Sequence, residues 1–172
     1  GSKIRYLINS VPNIDKAIIS THCHNDLGLA TANTLAGIAA GARQVEVTMN
    51  GVGERAGNTA LEEVVMALRS RDDIKVYTEI ESTHFHKVSH AVSTLMHMPV
   101  QPNKAVVGRN AFSHSSGIHQ DGVLKNRKSY EIISPDAVGV KDSTIELTAR
   151  SGRAALNHHF NRLGIHLDEV LL

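Results

Sequence analysis

Aromatic side chains and cysteines are scarce in this chain of 172 residues. Tryptophan is absent, aromatic residues make up 3% of the sequence, and the only cysteine is Cys23. So few rings leave little surface on which nucleic-acid bases could stack, and a net charge of +1 gives no attraction to a polyanion. A single cysteine cannot form a disulfide within the chain, as is typical of reducing compartments. We therefore expect no nucleic-acid partner and a cytoplasmic protein.

Long apolar runs are also missing. No stretch approaches the roughly 20 apolar residues that a membrane span needs, and no signal peptide opens the chain, so we expect no membrane partner. The composition, 41% hydrophobic and 20% charged, is typical of a globular protein with a core. Histidine, in contrast, is abundant, with 11 copies. A core rarely needs so many, so clustered histidines are candidate ligands.

The first part of the chain alternates predicted strands with predicted helices. A short β-branched run at 16–20 predicts a buried parallel strand, and apolar alternation over 44–49 predicts a second one. The Ala- and Leu-rich segment 27–40 and the amphipathic segment 59–71 predict the helices that follow them. Strands that alternate with helices in this way indicate a parallel α/β sheet.

The pattern changes after residue 71. A helix is predicted over 83–98 and ends at Pro99, and the mixed polar segment 113–125 predicts a short helix with loops. Ser151 is the predicted cap of a final helix that runs to about Leu163. A complete (β/α)8 barrel takes about 250 residues. The first 71 residues supply only two units of this kind, so the chain is predicted to be incomplete.

Two histidines follow the first predicted strand directly. His22 and His24 are two residues apart, so on an extended chain both imidazoles face the same side, at the strand end where parallel α/β proteins build their sites. Imidazole pairs are good ligands for Zn, Mn, Fe or Co. The alternative is a polar pair satisfied by loop hydrogen bonds, and spacing alone leaves both open. Cys23 should point away from them and is interpreted as a buried small hydrophobe.

A glycine-rich loop, 51–58, follows the second predicted strand. Its last residue, Asn58, has an amide oxygen that can bind a metal, but an Asn just before a helix is also a common N-cap, and position alone favours the cap. Glu54 and Arg55 in the same loop can orient ligands or bind substrate. They can equally form a solvated ion pair that contributes little.

Other histidines carry weaker signals. His84 and His86 form a second His-x-His pair, but they lie at a predicted helix start, where residues two apart diverge around the axis. With His90 and His97 they are expected to form a solvated helix face. His119 lies in a polar segment, where a histidine can serve as a general acid or base, although the residues alone do not distinguish it from a surface side chain.

Four segments taken together carry a family resemblance. They read HCHNDLG at 22–28, GVGERAGN at 51–58, SGIHQDG at 116–122 and LTARSGR at 147–153. This set resembles the 2-isopropylmalate synthases and covers nearly the whole chain. The first pair is shared with homocitrate and citramalate synthases, whereas the later pair is narrower and favours the isopropylmalate enzymes.

The resemblance implies a fold and a domain organisation. The expected fold is α/β, with the last two βα units of a TIM (β/α)8 barrel followed by a mainly helical post-barrel subdomain, truncated here. Residues 1–71 would be the barrel units, 72–150 the linker and dimerisation subdomain, and 151–172 the start of a second helical subdomain.

The resemblance also implies a metal site. It assigns His22, His24 and Asn58 as ligands of a divalent metal, with Mn or Mg favoured and Zn admitted. Glu54, from its place in the same loop as Asn58, is the candidate for a substrate-binding or supporting role. An aspartate ligand, an arginine and a glutamate base would come from earlier barrel strands that this chain does not contain.

The implied reaction is a Claisen-type condensation in leucine biosynthesis. Acetyl-CoA would be joined to 2-oxoisovalerate, and His119 and Tyr130 would reach across a homodimer to the neighbour's site. Citramalate synthase, homocitrate synthase and a non-catalytic dimerisation fragment are the alternatives. The isolated chain is expected to be inactive.

Overall fold

A computed structural model of the chain describes residues 1–114, 122, 126, 132–141, 144–145, 147–149 and 151–166. The chain divides into two compact units, residues 1–100 and 101–172. Strands and helices alternate in the first unit, so the predicted mixed α/β class is confirmed.

The elements of the first unit, in chain order, are α1 Ser2–Ser10, β1 Ser20–His22, α2 Ala30–Ala39, β2 Gln44–Glu46, α3 Leu61–Ser70 and α4 Phe85–Leu95. The described residues of the second unit contain β3 Ser113–His114, β4 Thr144–Ile145 and α5 Arg153–Arg162. Short 3-10 turns span Ile14–Lys16, Met49–Gly51, Ser82–His84 and Pro135–Val138.

Strands β1 and β2 are parallel neighbours, with Thr21 opposite Val45. Helix α2 makes the crossover between them, and α3 follows β2. The carboxyl ends of parallel strands lie at the same edge of a sheet, where sites in such folds are built. The loops that follow β1 and β2 therefore begin side by side.

Helix α2 packs tightly against this pair of strands. Its buried residues recur at the spacing of one helix face: Ala30, Thr34, Gly37 and Ile38. A Cβ atom on Gly37 would come within 2.6 Å of Cγ2 of Thr21, so only glycine lets the helix approach β1 this closely. Thr34 and Thr59 are fully buried, and their hydroxyl groups satisfy each other at 2.8 Å.

The prediction of a buried strand over 16–20 is wrong. Strand β1 begins only at Ser20, and the side chain of Ile18 is 73% exposed. Pairing with β2 starts at Gln44, opposite Ser20, so the preceding residues have no partner strand among the described residues. A β-branched run cannot be buried as a strand without such a neighbour.

The helix boundaries also differ from the predictions. Helix α4 begins at Phe85, after a 3-10 turn, and ends at Leu95, because His97 has a left-handed φ of 51°. The predicted cap of the final helix is wrong: Gly152 is its N-cap, and the Ser151 hydroxyl instead accepts a hydrogen bond from the Thr148 amide at 2.9 Å. Most of the short helix predicted over 113–125 lies outside the described residues.

The three predicted segments do not coincide with the two compact units. Helix α4 packs with the first unit, since Ser89 hydrogen-bonds Asn50 across 39 residues of sequence. The division into segments 1–71, 72–150 and 151–172 stays a prediction that rests on the family resemblance. Within the described residues, no helix combines the length and apolarity that crossing a membrane requires.

Candidate metal centre

The two candidate histidines meet at the carboxyl end of β1. Nε2 of His22 lies 3.2 Å from Nε2 of His24, with the rings edge to face and their centroids 4.8 Å apart. Both side chains are exposed. Two nitrogens that each bind one metal ion at about 2.1 Å are about 3.0 to 3.4 Å apart at coordination angles of about 90° to 110°. The predicted convergence is therefore present, although a hydrogen bond between two imidazoles has the same length.

Backbone pairing brings Asn58 to the same place. Asn58 and His24 form an antiparallel bridge. Two backbone hydrogen bonds flank this pair: the Asn25 amide donates to the Gly57 carbonyl at 2.8 Å, and the Thr59 amide donates to the Cys23 carbonyl at 3.1 Å. Residues opposite each other in this arrangement point to the same face and approach closely. The Asn58 side chain thus lies on the face that carries the His24 imidazole.

The Asn58 carboxamide is held by one end only. Its Nδ2 donates to the Val52 carbonyl at 3.3 Å, and the same carbonyl accepts a hydrogen bond from the Thr48 hydroxyl at 2.7 Å. Its Oδ1 is buried and has no hydrogen-bond partner among the residues that the structure describes. A buried polar atom without a partner is costly, and such exceptions often mark a group that serves a ligand.

The capping interpretation of Asn58 is wrong. Helix α3 begins at Leu61, its N-cap is Ala60, and no side chain caps it. Asn58 lies too far before the helix, because Thr59 and Ala60 continue the extended segment that pairs with the β1 loop and with Thr48. The amide oxygen is therefore not engaged by the helix.

Two glycines make room for this loop. A Cβ atom on Gly53 would lie 2.5 Å from Nδ2 and 2.6 Å from Cγ of Asn58, so the carboxamide packs directly on the Gly53 backbone. Gly57 has a φ of 93°, and a Cβ there would meet the Gly51 carbonyl oxygen at 2.2 Å. Any larger residue at either position would displace the candidate ligand.

An ion pair joins the two loops. Arg55 donates from Nε to Oδ1 of Asp26 at 2.7 Å and from Nη2 to Oδ2 at 2.9 Å. The hydrogen bonds from Arg55 hold the pKa of the Asp26 carboxyl below its ordinary value of 3.8 and raise the pKa of the guanidinium. Both side chains are about half exposed, so the pair contributes geometry more than stability.

Glu54 is less engaged than its neighbour. Its carboxylate lies 3.7 Å from Nη1 of Arg55, and its side chain is 85% exposed. This placement matches the solvated alternative for the pair, while the stronger partner of Arg55 is Asp26, which the sequence did not single out. The signal for Asp26 was its position in the first loop, opposite a lone arginine in the second.

The three candidate ligands fit a divalent cation. They offer two imidazole nitrogens and, on the residue paired with His24, one amide oxygen without a partner among the described residues. This mixed nitrogen and oxygen set suits hard or borderline metals. Within the described residues, no group of three or more His, Cys, Asp or Glu side chains forms a metal cluster. The candidate site therefore has two ligands of these types, and its third ligand is the amide oxygen of Asn58.

The remaining predicted residues fall into two groups. His84, His86, His90 and His97 are all exposed, as a solvated helix face would require. His119 and Tyr130 lie outside the described residues. Sequence reasoning also missed Asn50 and Ser89, which hydrogen-bond to each other beneath the second loop. The Asn-Gly pair at 50–51 was a turn signal that could have directed attention there.

The HMGL-like family model matches residues 1–92, more than half of the chain. The chain belongs to the HMGL-like family. A second model, described as homocitrate synthase post-HMGL domain-like, matches residues 106–171. In this HMGL-like chain, all three candidate ligands lie within the first match.

Curated relatives agree over almost the whole chain. A 2-isopropylmalate synthase of Parabacteroides distasonis is 61% identical over 172 residues, all of this chain and 34% of the relative. Another, from Histophilus somni, is 60% identical over 98% of this chain and 33% of the relative, and one from Pasteurella multocida is 59% identical over 95% and 32%. The resemblance to 2-isopropylmalate synthases is confirmed, and the HMGL-like chain spans about a third of the length of these relatives.

Proposed function

We propose that the full-length protein is a 2-isopropylmalate synthase, where "full-length" means a polypeptide of the relatives' length that contains this chain. It would join the acetyl methyl carbon of acetyl-CoA to the keto carbon of 2-oxoisovalerate. Hydrolysis of the thioester by water would release CoA and 2-isopropylmalate. This is an acyl transfer that serves leucine biosynthesis, and it suits a cytoplasmic enzyme with small-molecule substrates.

One observation carries this proposal. The imidazole nitrogens of His22 and His24 converge to 3.2 Å, and Asn58, paired with His24, has a buried amide oxygen with no partner among the described residues, in a chain 61% identical to a curated 2-isopropylmalate synthase. Neither half is sufficient alone. The geometry indicates a cation site but does not identify the substrate. The relative's name indicates the reaction but does not identify the residues that perform it.

The fold supports the same proposal. Two parallel strands, each followed by a helix, are the repeat of a (β/α)8 barrel, and we assign them to its last two units. The exposed apolar side chains of Ile18 and Leu27, at 73% and 85%, are the kind of surface that neighbouring barrel elements would cover. The ligands then lie at the carboxyl-terminal face, where barrels place their chemistry.

The chain's own residues would hold and orient the cation. His22, His24 and Asn58 would bind it directly, and the Val52 carbonyl would keep Nδ2 of Asn58 turned away so that Oδ1 faces the site. A divalent ion there would supply Lewis-acid polarisation of the keto group of the 2-oxo acid. Mixed nitrogen and oxygen ligation favours Mn or Mg and admits Zn.

The second loop would also shape the substrate side of the site. The ion pair with Asp26 restricts the position of the Arg55 guanidinium. The exposed carboxylate of Glu54 is then available for a substrate or a supporting contact. We retain Glu54 in that role. Its removal should affect substrate binding more than metal binding.

His119 and Tyr130 complete the proposal from the second half of the chain. By the family resemblance they would act near the thioester of the neighbouring subunit in a homodimer, as proton-transfer or oxyanion-stabilising groups. Mixing inactive full-length His119→Ala with inactive His22→Ala subunits tests this. Mixed dimers should recover part of the activity, and no recovery after confirmed subunit exchange would place both residues in one subunit's site.

A turnover assay tests the function itself. The full-length protein should release CoA from acetyl-CoA in the presence of a divalent metal and 2-oxoisovalerate, and much more slowly with pyruvate or 2-oxoglutarate. A preference for pyruvate would make it a citramalate synthase, and a preference for 2-oxoglutarate a homocitrate synthase. The 172-residue chain alone should show no turnover.

A further inference from the structure

A tight turn lies directly beneath the loop that carries Asn58. Asn50 and Gly51 have φ values of 61° and 69°, and the Val52 amide donates to the Met49 carbonyl at 3.3 Å. Two consecutive positive φ values define a mirror-image β-turn, for which Asn-Gly is a preferred pair. The turn therefore has a conformation that few other residue pairs could adopt.

Residues of helices α3 and α4 form hydrogen bonds with this turn. The backbone amide of Asn50 donates to Oε2 of Glu62 on α3 at 3.0 Å. The Asn50 side chain makes a reciprocal pair with Ser89 on α4: Nδ2 donates to the Ser89 carbonyl at 2.9 Å, and the Ser89 hydroxyl donates to Oδ1 at 2.5 Å. Glu62 is 0% exposed and Ser89 is 2% exposed. Hydrogen bonds in such a dry environment are strong and hold one geometry.

The turn in turn fixes the candidate ligand. Gly51 follows Asn50, and its carbonyl accepts the backbone amide of Asn58 at 2.9 Å. The next carbonyl, that of Val52, accepts Nδ2 of the Asn58 side chain at 3.3 Å. Two successive residues after Asn50 thus hold the backbone and the side chain of Asn58. A shift of the turn would move the amide oxygen.

We infer that Asn50, Ser89 and Glu62 form a positioning network for the metal ligand Asn58, which rests on the proposed function. The network connects α4, beyond the barrel units, to the amide oxygen through Asn50 and the carbonyls of Gly51 and Val52. None of its three side chains would bind the cation directly. They would set where Oδ1 of Asn58 lies, so that it is in place to bind the cation.

Removal of a side chain of this network should weaken metal binding. Residues that orient a ligand without touching the metal typically change affinity by about 10- to 100-fold when they are removed. Loss of the Ser89 hydroxyl leaves Oδ1 of Asn50 without its donor, and loss of the Asn50 side chain releases α4 from the turn. Each change lets the turn relax while both histidines stay in place.

Calorimetric titration of the metal-free full-length protein with manganese(II) chloride tests the inference. Asn50→Gly keeps the positive φ and deletes only the side-chain contacts, and Ser89→Ala deletes one hydroxyl. Each should weaken manganese binding about tenfold. Ser93→Ala, on the same helix one turn later and outside the network, is the matched control and should bind like the wild type. A circular-dichroism melt of every variant confirms that it is folded at the titration temperature.

Asn58→Ala separates the two levels of failure. If it leaves manganese affinity unchanged, the ligand assignment in the proposed function is wrong. If it weakens binding but Asn50→Gly and Ser89→Ala do not, only the positioning inference is overturned. In the Asn58→Ala background, Ser89→Ala should have no further effect, because its influence passes through Asn58. An undiminished effect there would show that the network acts by another route and would overturn the inference.

Discussion

The two loops that carry the candidate ligands reach the same point by different means. At the end of β1, His22 is the last residue of the strand and His24 follows two residues later, and both are exposed. After β2, Asn58 lies at the end of a glycine-rich loop. Hydrogen bonds hold the turn of this loop, its pairing with the first loop and the Asn58 carboxamide. Two-residue spacing along an extended chain places the histidines, whereas Asn58 is placed by the hydrogen bonds of its own loop and by its bridge to His24. Changes around the second loop should therefore act at longer range than changes around the first.

The largest effect is expected for Asn58→Ala in the full-length protein. Loss of a ligand costs several kcal/mol of transition-state stabilisation, so condensation should fall about a thousandfold. Because Ala60 is the N-cap of α3, no capping energy is lost, and the thermal midpoint should change little. Steady-state kinetics and a thermal melt measure both. A drop in midpoint with unchanged turnover would restore the structural interpretation of Asn58.

Gly53→Ala should give the next largest effect. Its new methyl group would lie 2.5 Å from Nδ2 of Asn58 and must push the carboxamide aside, so manganese affinity should fall about 10- to 100-fold. Gly152→Ala is the matched control, because a Cβ there meets nothing within 4 Å. Titration calorimetry of both variants of the full-length protein measures their manganese affinities. Equal affinities would mean that the second loop yields without moving the ligand.

The first loop can be tested in the 172-residue chain by itself. Two imidazoles and one amide oxygen without an anionic ligand should bind manganese or zinc weakly, and His22→Ala should abolish that binding, since a single remaining imidazole holds little. Titration calorimetry of the chain and its variant measures this. Tight binding that survives both His22→Ala and His24→Ala would contradict the ligand assignment.

The smallest effect concerns the ion pair that joins the loops. The hydrogen bond from Arg55 is the main reason that the Asp26 pKa lies below 3.8. The pair's contribution to the free energy of unfolding is therefore fully present above pH 3.8 and is lost only as the pH falls through the lowered pKa. Arg55→Gln should let the Asp26 pKa rise, as followed by NMR of its carboxyl carbon. Arg71→Gln is the control: it should raise only the pKa of Asp73, which Arg71 lowers in the same way. No change at Asp26 in Arg55→Gln would remove the pair from the site.

Much of the fold was predictable because it follows local rules. Period-two alternation located β2, the content of Ala and Leu located α2, and an amphipathic pattern located α3. The helix expected before Pro99 is α4, and each of the three helices is shorter than predicted. The misplaced strand at 16–20 shows the limit of such rules. Ile18 has the β-branched character of a buried strand, but burial depends on a neighbouring strand that these residues do not have among those described.

The same division applies to the candidate site. The sequence by itself determined that His22 and His24 lie on one side of an extended chain, because side-chain direction alternates with every residue. It could not decide whether Asn58 caps a helix or offers its oxygen to a ligand, since both roles share the same position before α3. Only the tertiary structure decided that, by pairing Asn58 with His24 and leaving Oδ1 buried with no partner among the described residues. The bridge to His24, more than 30 residues away, and the hydrogen bonds to the Gly51 and Val52 carbonyls fix this placement together, and the position of Asn58 before α3 encodes neither.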